Sequence, residues 1–134
     1  MDKLVINRKI SVKAKVTEGF KNQIRQELQE GMNKLDAELK FLEQRAKKLI
    51  TELTLKGSPQ AASVREQLEY EKQKREEAKK AMSEQMKVVG NLEMGTEVLQ
   101  EEMEGPIEVK AGDNWVDLMN REIVIEDGRI VEIR

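Results

Sequence analysis

The stretch "TLKGSPQAAS", residues 54–63, interrupts a long run of charged sequence spaced by leucine and alanine. Gly57 can take the left-handed conformation that ends a helix at least cost, because it has no Cβ to clash. Ser58 is a natural N-cap, and Pro59 fits the first helical position, where its missing N–H is not needed. One helix therefore stops and another starts across residues 57–59. A single continuous helix is excluded on energy, since Gly and Pro in its interior would together cost about 4 kcal/mol.

On the N-terminal side of this turn, Leu28, Met32, Leu35, Leu39, Leu42, Ala46, Leu49 and Leu53 follow alternating spacings of four and three. That is an unbroken heptad, with Leu28, Leu35, Leu42 and Leu49 at d. On the C-terminal side the seam runs through Ala61, Val64, Leu68, Glu71, Arg75, Ala78, Met82, Gln85 and Val89. It is weaker, because three of these residues are polar. Antiparallel pairing sets Leu49 against Leu68, Leu35 against Met82 and Leu28 against Val89, with position numbers that total 117 in every layer. The same register brings Glu43 to Lys72 and Asp36 to Lys79, both opposite in charge, while Arg45 falls beside Lys74. Glu71 and Arg75, four residues apart on one face, read as a pair that fixes register beside the small Ala46.

Toward both chain ends the period falls to two. In residues 4–16, Leu4, Ile6, Ile10, Val12, Ala14 and Val16 share one parity, which predicts a strand with one buried face and a bend near Arg8, where the pattern breaks. Thr17, followed by Glu18, predicts a helix N-cap. Beyond Gly90, strands are expected at 97–103 and 107–109, flanking a turn at Gly105-Pro106. Residues 112–120 predict a short helix capped by Asp113 or Asn114, with Trp115, Leu118 and Met119 facing inward. The closing "REIVIEDGRIVEIR" predicts a hairpin with a type I′ turn at Asp127-Gly128. Residues 1–16 carry net +4 and residues 93–134 carry net −8, so the two ends attract. The expected architecture is α+β: a long antiparallel two-helix coiled-coil hairpin (17–92) on a small β module formed by the N- and C-terminal strands (1–16 plus 93–134).

The composition agrees with that plan. Of 134 residues, 37% are charged, 38% hydrophobic and only 3% aromatic, a balance suited to long helices that bury a narrow seam. With no cysteine and no histidine, disulfides, the common zinc sites and Ser-His-Asp or Cys-His chemistry are excluded. No apolar run is long enough to cross a membrane, and the first residues read as a strand rather than a signal; no membrane association and a cytoplasmic location are expected. Glu101, Glu102 and Glu104 read as a solvated acidic face rather than a metal site. Between Thr54 and Gln60 there is no carboxylate to hold a metal at the helix turn. Neither cofactor nor metal is expected, and the chain reads as non-enzymatic.

The segments "VINRKISVKAKVTE", "KLDAELKFLEQ", "GDNWVDLM" and "EIVIEDGRIVEIR" resemble the YlqD family of small bacterial proteins, over nearly the whole chain. The Gly112-Asp113-Asn114-Trp115 and Asp127-Gly128 motifs are the most specific points of likeness. The resemblance implies no catalytic residues. It does imply a gene often placed among ribosomal-protein and RNA-maturation genes.

The function expected from this reading is that of an interaction or scaffold protein with the helical hairpin as docking arm. Its partner would be another protein or a second copy. Ile50, Leu55 and Ala62, apolar residues near the helix turn, are the candidate contact. The alternative is an RNA-associated accessory factor in ribosome or tRNA maturation, making weak phosphate contacts through Lys3, Arg8, Lys9, Lys13 and Lys15.

Overall fold

The computed structural model describes residues 2–134. Its elements follow in the order β1 (Lys3–Lys15), α1 (Glu18–Leu55), α2 (Gln60–Gly90), β2 (Glu97–Lys110), α3 (Trp115–Met119), β3 (Glu122–Glu126) and β4 (Arg129–Ile133). The chain is α+β, with two long helices and one four-stranded sheet built from its N- and C-terminal strands. It divides into two compact units: residues up to Asn22 together with Leu92–Arg134, and Gln23–Asn91.

In the first unit the strand order is β2-β1-β3-β4, so β1 lies inside the sheet. It pairs antiparallel with β2 along its whole length and parallel with β3 from Ser11 to Ala14. The expected alternation holds over most of its length: Val12, Ala14 and Val16 are buried and Ile6 and Ile10 half-buried, but Leu4, also expected on the buried face, is 58% exposed near the start of the strand. Val124 of β3 is completely buried. Burying such a side chain contributes about 1.5–3 kcal/mol.

Two strand expectations are corrected. The predicted break at Arg8 does not interrupt the strand, which continues through it with no shift in its register against β2. Arg8 stays on the inner parity, where a hydrophobic residue would otherwise sit; its Nη2 donates to the Met119 carbonyl (3.0 Å), while its buried Nε has no hydrogen-bond partner among the described residues. The predicted turn at Gly105-Pro106 is also absent. Both residues continue β2, opposite Arg8 and Asn7. A proline is tolerated there because β2 is an edge strand, where a missing N–H breaks no second ladder. The extra length is absorbed by a bulge opposite Val12 and Lys13, where Gln100 is skipped.

The closing hairpin forms as the sequence predicts. Asp127 (φ 49°) and Gly128 (φ 82°) both lie in the left-handed region, as a type I′ turn requires. Thr17 caps α1 by accepting from Phe20 N–H (3.0 Å), and its hydroxyl donates to Asp127 Oδ1 (2.6 Å). Helix cap and hairpin turn thereby share one hydroxyl.

In the second unit, α1 ends in a Schellman motif. Ser58 N–H donates to Leu53 O (2.9 Å) and Gly57 N–H to Thr54 O (3.0 Å), with Gly57 at φ 66°. Ser58 Oγ accepts from Gln60 N–H (3.3 Å), and Pro59 takes helical angles just ahead of α2. Ion pairs between the helices join Asp36 to Lys79, Glu38 to Arg75 and Glu43 to Lys72. As numbers rise along α1 they fall along α2.

Most of the expected seam residues are half-buried, and Ala61 and Val89 are buried. Leu49, at 44% exposed, is the least covered of the apolar ones. One seam position is corrected: Gln85 is exposed and Met86 takes its place. After Met82 a step of four suits the apolar side chain better than a step of three onto an amide.

Candidate interaction surfaces

The turn between α1 and α2 is closed by backbone bonds and by the Ser58 hydroxyl, none of which involves the Leu55 side chain. Leu55, the last residue of α1, is 83% exposed. Ala62, in the first turn of α2, is exposed, and Ile50 is half-buried. A five-residue separation turns an α-helix by about 140°, so Ile50 and Leu55 look out from different flanks of α1. Leu55 is thus the apolar group most fully presented by this turn.

Along one flank of the helical pair lies an open groove of about 610 Å³, floored by Leu42, Ala46, Leu49, Val64 and Leu68. Arg45, Lys48 and Glu52 rim it on α1. Arg45 stands over the Phe41 ring, 5.6 Å from its centroid, and Phe41 is itself exposed. Farther along the seam, Arg75 Nη1 is hydrogen-bonded to the Glu71 carboxylate, while its Nε lies 3.4 Å from Glu38, as an ion pair. The Arg75 hydrogen bond is the main reason that the Glu71 carboxyl is held below the usual carboxylate range. The Glu71–Arg75 pair therefore forms as the sequence suggests, with Glu38 as a third member that the heptad pattern did not reveal.

In the sheet unit the Gly112-Asp113-Asn114 motif has a division of labour. Gly112 takes φ 100°, Asp113 accepts from Lys110 N–H (2.9 Å), and Asn114 caps α3 by accepting from Asp117 N–H (3.1 Å). The inward reading of Trp115 is corrected: Leu118 is buried and Met119 half-buried, but Trp115 is 63% exposed. Placed three and four residues before Leu118 and Met119, Trp115 shares their side of the helix, yet it stands at the first helical position and is left uncovered there. Trp115 instead borders a shallow hollow of about 370 Å³ with Leu4, Val109 and Leu118.

Of the basic residues of β1, Lys3 pairs with Glu108 (3.7 Å) and Lys13 with Glu122 (3.0 Å). Arg8 is committed to the Met119 carbonyl, and Lys9 and Lys15 stand opposite Glu104 and Glu97 in the ladder. Lys3–Glu108 and Lys13–Glu122 thus meet part of the attraction expected between the two chain ends inside the sheet. Hydrogen bonding from Lys13 holds the Glu122 carboxyl below its ordinary range. Arg134 is raised above its ordinary value, chiefly by the Glu97 carboxylate, and also bonds Glu122 (3.1 Å). Strand alternation sends Glu101 to one face of β2 and Glu102 and Glu104 to the other. Among the described residues, no three carboxylates gather as a metal site would need.

Two long helices inserted between the first and second strands of a β2-β1-β3-β4 sheet define the class of this protein. The YlqD protein family model matches residues 4–134, and the chain belongs to that family. The crystal structure of a protein of unknown function from Synechococcus sp. WH 8102 is similar, with a TM-score of 0.82 and 31% identity over 100% of this chain and 99% of that one. Among curated proteins nothing matches. No helix among the described residues is long and apolar enough to cross a membrane.

Proposed function

We propose that this protein is a non-enzymatic interaction or scaffold protein, with α1 and α2 packed as an antiparallel coiled-coil hairpin that serves as a docking arm. The inter-helix ion pairs and the half-buried heptad residues support that packing. The single observation that carries the docking role is Leu55, 83% exposed beside a turn whose backbone bonds make no use of it. Ile50 and Ala62 would extend the contact on either side. A protein partner is favoured over RNA because Lys3 and Lys13 of β1 are already ion-paired to Glu108 and Glu122, and Lys9 and Lys15 lie across the ladder from Glu104 and Glu97, whose negative charge opposes phosphates.

The test is affinity capture with the wild-type chain and with Leu55→Glu. The melting temperature should stay within a few degrees while the captured protein or the self-association is lost. Unchanged association would place the docking surface elsewhere. Capture of RNA that falls steeply with salt would favour the accessory-factor reading instead.

A further inference from the structure

The two flanks of the helical pair are unlike. On one, Glu43–Lys72 (3.8 Å) and Asp36–Lys79 close the seam with ion pairs. On the other, the seam stays open as the groove over Leu42, Ala46, Leu49, Val64 and Leu68. Among the described residues, Arg45, Lys48 and Glu52 on its rim have no ion-pair partner. Farther along this flank Glu38 pairs with Arg75 (3.4 Å), but beside the groove the register places Arg45 next to Lys74, so this stretch lacks the charge complement that the opposite flank enjoys.

Along α1 the groove presents Leu42, Arg45, Leu49 and Glu52, spaced three, four and three. That is the spacing of a second helix-packing stripe, sharing Leu42 and Leu49 with the first. A stripe of this kind is left unused by a pair of helices but filled in a bundle of four.

We infer that this groove is the interface of a homodimer, in which α1 of one copy lies antiparallel against α1 of a second copy across a twofold axis between Lys48 and Leu49. The inference rests on reading the helical pair as a docking arm, and it names the partner as the protein itself. The charge pattern selects both occupant and direction. In the antiparallel arrangement each Arg45 meets Glu52 of the other copy, so the ion pair forms twice, and the exposed Leu55 of each copy covers Leu42 of the other. In a parallel arrangement Arg45 would face Arg45 and Glu52 would face Glu52, which is repulsive. A twofold interface must be self-complementary, and this short stretch is.

The experiment is a charge-reversal cycle on the full chain, read by sedimentation equilibrium, with circular dichroism to verify helix content. Wild type should dimerise. Arg45→Glu and Glu52→Arg, each alone, should weaken the dimer by about tenfold or more, since each converts two attractions into two repulsions. The double reversal should recover most of the loss. Leu49→Cys should form a disulfide between copies under mild oxidation. A monomer at all concentrations, or a dimer indifferent to the single reversals, overturns the inference. The docking-arm reading fails separately, when Leu55→Glu leaves every captured protein in place.

Discussion

At the scale of single residues, the densest arrangement joins Thr17, Gly19 and Asp127. Thr17 needs an acceptor for its hydroxyl proton once it caps Phe20, and Asp127 supplies one from a left-handed turn position that few side chains tolerate. Gly19 allows the approach: a Cβ there would lie 3.0 Å from Asp127 Oδ1. Ordinarily Gly→Ala in a helix stabilises by about 1 kcal/mol. Here Gly19→Ala must displace the Asp127 carboxylate and should gain little or nothing. In an Asp127→Ala background the same change should recover its full benefit. Urea denaturation of the four proteins in the cycle measures the difference, and equal effects in both backgrounds would refute the close approach.

At the scale of elements, the sheet is held laterally by charge as well as by its ladder. Lys13 of β1 meets Glu122 of β3, whose carboxylate also receives Arg134. Because the Glu122 pKa is depressed in the folded state, its contribution is fully present above the unfolded carboxylate value. It is lost as the pH falls through the lower, folded value. Lys13→Met, which keeps the aliphatic stem, should therefore narrow the gap in stability between neutral and acid pH. Thermal melts at pH 7 and across the acid range below pH 4 would measure it. An acid sensitivity identical to wild type would mean that Glu122 is held down by other groups.

At the scale of the whole molecule, β1 joins segments far apart in sequence, since it alone pairs with both β2 and β3. Removing residues 2–16 would strip β2 of its ladder and leave the β3-β4 hairpin without a neighbour. An isolated hairpin is marginal in water. The truncated chain should retain strong helical circular dichroism from the heptad region while the dispersed amide resonances of Ile123–Ile133 collapse. Persistence of those resonances would show that the hairpin needs no central strand.

What the sequence determined by itself is what chemistry within a few residues determines. Gly57-Ser58-Pro59 ends one helix and starts the next, Asp127-Gly128 sets a type I′ turn, Thr17 caps a helix, and a cap at Asp113 or Asn114 was legible, the structure choosing Asn114. The opposite charges at 36 with 79 and at 43 with 72 were also legible, because a regular heptad carries register over a long distance. Tertiary structure alone decided the rest. Pro106 could stay within a strand because β2 lies at the sheet edge, a fact about neighbours that no local pattern records. Arg8 could remain on the inner face because a carbonyl from residue 119 reached it. Trp115 is exposed although it shares a helix face with Leu118, because whether anything covers that face at its first turn depends on neighbours and not on spacing. The groove beside Leu49 was equally hidden in the spacing, for a heptad names the residues of a seam but not the flank on which that seam stays open.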